Sequence, residues 1–197
     1  LIVTGVQTCA LPIYMIKNYR SFKYYRKHEK SKRGIKDYFY PEPTQVFMKW
    51  LRRVEWHFNA GGLVHKVLFF YAYYRYRKIS LKTGFSIPKN VCDAGLSIPH
   101  YGSIVINANS RIGRNCRIQN NVNIGATGGS SKAPTIGENV YIGPGAVIYG
   151  DVVIADNCYI GANAVVNKSF VEPYSVIAGV PAKVVKKETK AWNWKFS

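Results

Sequence analysis

Branched aliphatic residues recur every six positions through the second half of the chain, at Ile112, Ile118, Ile124, Ile136, Ile142, Ile148, Ile154, Ile160 and Val166. A second register of smaller residues follows four positions on, at Cys116, Val122, Val140, Ala146, Val152, Cys158 and Ala164. A period of six fits neither an α-helix nor an alternating strand. It fits a coil of three short strands joined at corners, with one hexad per strand. Each aliphatic points into the triangular interior and stacks on its equivalent one turn away. Glycine follows the aliphatic at Gly113, Gly125, Gly137, Gly143 and Gly161, where a side chain would obstruct the corner. Such a coil is a solenoid, and each turn needs its neighbours to bury its faces. The pattern predicts an all-β parallel β-helix over residues 85–181. Between Ile124 and Ile136 the run ATGGSSKAPT lacks the expected aliphatic and reads as a loop thrust out of the coil. The spacing from Ile104 to Ile112 suggests a two-residue excursion near Asn107.

Upstream the period changes. Val46, Phe47, Trp50, Leu51, Val54 and Phe58 have helical spacing. Thr44 is placed to cap that helix, and Gly61-Gly62 ends it. A second helix is expected from Leu63 to Lys82. Its aromatic run is too short, and too interrupted by Arg75 and Arg77, for a membrane span. Residues 15–84 therefore read as a small helical region ahead of the β-helix, and residues 182–197 as a basic tail.

The formal net charge is +18, but it is unevenly placed. Residues 15–90 hold 18 Lys and Arg against 4 Asp and Glu, whereas residues 91–181 hold 5 of each. The cationic character thus belongs to the N-terminal region and the tail, not to the repeat. No nucleic-acid motif accompanies it, and nucleic acid is not an expected partner. The four cysteines, Cys9, Cys92, Cys116 and Cys158, show no CxxC or other metal-ligand spacing. No metal is expected, and reduced thiols suggest a cytoplasmic protein. Residues 1–14 carry no charge and no Met. They read as the translation of a sequencing adapter, with a signal peptide as the alternative, although the basic start of one is missing. Met15 is the expected start.

The candidate chemistry centres on His100, in the segment GLSIPHYGSIV. A lone histidine is more often structural. From about Ser80 to Lys187, however, the chain resembles hexapeptide-repeat acyltransferases of the serine acetyltransferase branch, and is most similar to members found among polysaccharide-modifying enzymes. The shared segments are IPHYGSIV, the loop start IGATGG, APTIGENVYIGPGA, IGANAVV and the closing AGVPAKVV. The resemblance implies a left-handed β-helix, acetyl-CoA as donor, and a homotrimer with its site between subunits. In that family the histidine at the position of His100 is the general base, a role suited to imidazole.

The resemblance also exposes departures. Pro99 stands where serine acetyltransferases carry an acidic residue. Lys132 and Ala133 stand where they carry an Arg and a His, and Phe85 lies close to the carboxylate that orients the base. These changes remove groups that grip a small amino acid. The expectation is therefore transfer of acetyl to a hydroxyl of a saccharide or glycan precursor, with serine O-acetylation as the alternative. Asp93 is a possible orienting carboxylate and also a plain turn residue. For the donor, Ala126, Gly143 and Ala162 offer close backbone approach, and Lys183, Lys186 and Lys187 offer charge for the phosphates. The basic aromatic N-terminus suggests peripheral contact with the inner face of a membrane, with a purely structural cap as its rival.

Overall fold

The computed structural model describes residues 15–29, 40–188 and 190, so the expectations for residues 1–14 and for the end of the tail lie outside the described residues. Among the described residues three helices come first: α1 (Tyr19–Glu29), α2 (Pro43–Ala60) and α3 (Leu63–Thr83). Thirteen short strands follow in three sheets. The first sheet orders β1 (Phe85–Ser86), β2 (Ile104–Ile106), β5 (Val122–Gly125), β8 (Val147–Tyr149) and β11 (Val165–Val166). The second orders β4 (Arg117–Ile118), β7 (Tyr141–Ile142), β10 (Tyr159–Ile160), β12 (Ser175–Gly179) and β13 (Ala182–Lys187). The third holds β3 (Arg111–Ile112), β6 (Thr135–Ile136) and β9 (Val153–Ile154). All pairings are parallel except β12 with β13. The chain therefore visits the three sheets in rotation, as a β-helix must.

Register explains the six-residue period. Ile118, Ile142, Ile160 and Ile177 stack in one buried column, and Ile112, Ile136 and Ile154 in another. The third column is Ile106, Ile124, Ile148 and Val166. Ile106, not Ile104, is thus the in-phase aliphatic. Ile104 pairs with Val122 of the smaller register, and there is no excursion at Asn107. Partners 18 residues apart, such as Val147 and Val165, become partners 24 apart across the loop, as with Asn123 and Val147. The loop therefore adds six residues to one corner. Asn115, Asn139 and Asn157 recur in the left-handed region at one corner, with Asn121 and Asn163 at another. Asparagine tolerates this conformation at little cost. Asn120 and Asn123, in the same stretch, do not adopt it.

The helices depart from expectation in two places. Pro43 occupies the first turn of α2, and Glu42 precedes it without a side-chain cap. Thr44 is buried inside the helix and does not cap it. Within residues 15–40, where spacing gives no helix bounds, Asn18 accepts the Ser21 N–H at 2.9 Å and opens α1. Gly84, in the left-handed conformation, closes α3 with its N–H on the Ser80 carbonyl.

The helices and the coils share one core. Phe47, Leu51, Val54, Ala72 and Tyr76 continue without a break into Phe85, Ile87 and Val91. The junction is held by Arg52, which is fully buried. It donates to Glu29 Oε1 at 2.7 and 2.9 Å, to Glu55 Oε2 at 2.7 Å, and to the carbonyls of Cys92 and Asp93 at 2.8 and 2.9 Å. Its guanidinium lies 4.7 Å from the Tyr25 ring, and the Tyr25 hydroxyl donates to Asp93 at 2.6 Å. One arginine thereby ties α1, α2 and the first coil together. Burial pushes the Glu29 carboxyl up to about 7 even with Arg52 beside it.

Candidate active site

Three columns of corners run along the β-helix. The column leading from the second sheet to the first contains Pro99–Ser103, Gln119–Asn121, Gly143–Gly145 and Gly161–Asn163. His100 lies in it, and its corner is unusual. Seven positions separate Ser97 from Ile104, whereas five separate their partners Arg117 and Val122. The two-residue irregularity of the first coil is therefore at His100. Gly102 makes the bulge possible. Its φ is +139°, its N–H bonds the Thr83 carbonyl, and a Cβ there would stand 3.2 Å from that of Asn120. The bulge thus stays close to the next coil while His100 and Tyr101 are exposed.

Asp93 does not orient His100. It is buried under Tyr25 and also accepts the Ala94 N–H at 2.6 Å. Phe85, the position near the family's orienting carboxylate, is buried edge-on against Phe47 with ring centroids 4.9 Å apart. No carboxylate at either position therefore holds the imidazole within this chain.

Gly143 and Ala162 lie in the same column. A Cβ on Gly143 would come within 2.7 Å of the Ala162 nitrogen, so coil stacking alone requires this glycine. Ala162 is exposed at the corner. Gly161 stacks on Ala178, and Ala178 pairs with Lys183 of β13. Lys183 is exposed and has no ion pair among the described residues. His100, Asn120, Gly143, Ala162 and Lys183 therefore mark one continuous edge. Its ends are five strand steps apart, by way of Ala178, roughly 24 Å at the usual strand spacing.

Two predicted residues lie elsewhere. Ala126 opens the loop at the corner column between the first and third sheets, across the first sheet from His100. That loop is folded onto its own corner, where the Asn109 side chain donates to the Ser131 carbonyl at 2.7 Å and Lys132 bonds Asp151 at 2.7 Å. Lys132 is thus engaged by a carboxylate, which holds its ammonium above its ordinary pKa. Lys187 sits at the far end of β13, paired with Glu172, and Lys186 pairs with Glu188 at 2.7 Å. Of the three tail lysines, Lys183 alone is both beside the corner and without such a pair. The bulge at His100 is masked in the sequence, because Ile98 and Ile104 stand six positions apart and only strand register shows Ile106, eight positions on, to be in phase; Asn120 beneath it carries no signal.

Comparison with known proteins bears on the fold. Residues 133–168 match the family described as bacterial transferase hexapeptide (six repeats). The chain is 32% identical over 118 residues to a serine acetyltransferase of Buchnera aphidicola, covering 57% of this chain and 45% of that one. It is 41% identical over 95 residues to one of Staphylococcus xylosus, covering 47% and 44%. The chain spans less than half the length of these curated relatives. Among solved structures it overlays on the soybean serine acetyltransferase apoenzyme with a TM-score of 0.65 at 23% identity, covering 84% of this chain and 68% of that one. A serine acetyltransferase in complex with CoA overlays at 0.58 with 25% identity, covering 84% and 66%. The chain therefore carries the bacterial transferase hexapeptide repeat on a left-handed parallel β-helix of the serine acetyltransferase kind, preceded by a small helical region.

Proposed function

We propose that this protein is an acetyl-CoA-dependent O-acetyltransferase with His100 as general base. The observation that carries the reading is the single corner edge with an exposed histidine at one end and, at the other, a lysine without an ion pair among the described residues. In this scheme a ring nitrogen of His100 accepts the proton of the acceptor hydroxyl. The oxygen attacks the thioester carbonyl, the carbon–sulfur bond breaks, and CoA leaves as the thiol with the transferred proton. The exposed edge at Ala162 accepts an extended pantetheine arm, and Lys183 meets the phosphates. The site is completed in a homotrimer, because His100 and the loop occupy different corners of one chain and a neighbour's loop can meet His100 across the subunit boundary.

Serine is the acceptor that the relatives favour. A saccharide hydroxyl is the second reading. It is favoured by the apolar Phe85 and Pro99, and by Lys132 and Ala133 in place of an Arg and a His. A free amino acid is met anywhere in solution, whereas a lipid-linked saccharide is met at a membrane, so peripheral attachment would suit this second reading without deciding it. Thiol release from acetyl-CoA, measured with serine and with a panel of nucleotide sugars and oligosaccharides, decides between them. Release with serine selects serine O-acetylation. Release only with a saccharide selects the second reading. Absence of CoA binding overturns both.

The donor arm has its own test. Lys183→Ala is expected to weaken CoA about three- to ten-fold and dephospho-CoA less, because the ammonium removed is the one facing phosphate. Lys187→Ala should do little, since Glu172 already holds that ammonium. Calorimetric titration of both ligands checks this. Equal effects on the two ligands would place Lys183 away from the 3′-phosphate that dephospho-CoA lacks.

A further inference from the structure

Helix α3 is apolar on both sides. Its inner side carries Phe69, Ala72, Tyr76 and Ile79, which pack on the core. Its outer side carries Leu63, Val67, Phe70, Tyr74 and Leu81, spaced by four, three, four and seven residues on one stripe. Leu63 is 80% exposed, Phe70 71% and Leu81 77%. A helix with apolar residues all round is ordinarily covered on every side. Here the outer stripe is open along a helix of 21 residues, about 30 Å long at the usual rise.

Charge identifies what covers it. Helix α3 has no Asp or Glu and carries Lys66, Arg75, Arg77, Lys78 and Lys82. Among the described residues of the helical region, Glu29 and Glu55 are buried on Arg52, so Glu42 is the one exposed carboxylate. A second copy of this helix would bring cation against cation and supply no acid. An anionic lipid surface supplies the missing charge and an apolar layer at the same depth. Tyrosine and phenylalanine rings settle at the headgroup level between the two. Among the described residues no helix is long and apolar enough to cross a membrane, so the contact is with the surface.

We propose that α3 docks flat on an anionic bilayer through the stripe of Leu63, Val67, Phe70, Tyr74 and Leu81, with Arg77, Lys78 and Lys82 on the lipid phosphates. This attachment rests on the helix surface and holds whichever acceptor the enzyme uses. The full chain is mixed with vesicles of phosphatidylcholine alone or with an equal part of phosphatidylglycerol, and bound protein is measured by co-sedimentation at rising salt. Binding is expected only to the anionic vesicles and is expected to fade with salt. The variant Arg77→Gln/Lys78→Gln/Lys82→Gln should bind about 100-fold more weakly, at roughly five-fold per cation. Phe70→Ser/Leu81→Ser should also lose binding while keeping the wild-type melting temperature, since both side chains lie outside the core. No binding at low salt would overturn the proposal, as would equal binding to neutral vesicles. So would a fall in oligomeric mass of the Phe70→Ser/Leu81→Ser variant by light scattering with vesicle binding unchanged, because the stripe would then be covered by another copy.

Discussion

Replacing His100 by alanine is expected to lower turnover by about 10²- to 10⁴-fold while CoA affinity and melting temperature stay close to wild type. The three readouts separate because of where the residue sits. His100 is exposed on a two-residue bulge and belongs to no buried cluster, so the substitution leaves core packing intact. The proposed donor edge beside it is built from backbone and from Gly143, Ala162 and Lys183, none of which depends on the imidazole. The variant lacks a proton acceptor at the attacking oxygen, and that deficit falls on turnover. Steady-state kinetics, a CoA titration and a thermal melt on one preparation make the comparison. Near-normal turnover in the variant would make His100 a surface residue and move the base to another corner.

Replacing Arg52 by methionine is expected to cost about 3–5 kcal/mol of stability, enough to unfold many domains of this size. The arginine is the shared partner of two buried glutamates and two backbone carbonyls. Removing it leaves Glu29 and Glu55 buried without the guanidinium they share. The deficit should depend on pH with a definite sign. Burial already raises Glu29 to about 7 in the presence of Arg52, so between its ordinary value and there the folded state binds more protons than the unfolded one. Stability from this group is present at acid pH and is lost as pH rises through about 7. The variant should therefore be closest to wild type near pH 5 and furthest from it above pH 8. Denaturant melts at both pH values measure this. A destabilisation under about 1 kcal/mol at pH 8 would mean that water or a rearranged side chain replaces Arg52. The helical region should loosen first, since its junction with the coil is what Arg52 holds.

The β-helix, the place of its interrupting loop and the two longer helices are all legible in the residue pattern. Inward packing is a property of single residues repeated at a fixed spacing. A buried aliphatic at Ile118 needs only another at Ile142, and both announce themselves by period. The same reasoning fails where two aliphatics stand close together: Ile104 and Ile106 both look eligible, and only strand register puts Ile106 in phase. Helix α1 is obscured because its buried face is Tyr25, Arg26 and Glu29, which no hydrophobic period marks.

How the polar groups are shared is settled only when the chain has folded. Tyr25 meets Asp93 across 68 positions and Arg52 meets the Cys92 carbonyl across 40, and no local spacing encodes such meetings. That is why Asp93, eligible in sequence to orient His100, is bound under a tyrosine. It is also why Lys187 is taken by Glu172 while Lys183 remains on the open edge. His100 and the loop stand at different corners of the chain, because each hexad turns the coil by one face and the number of corners between them sets their separation.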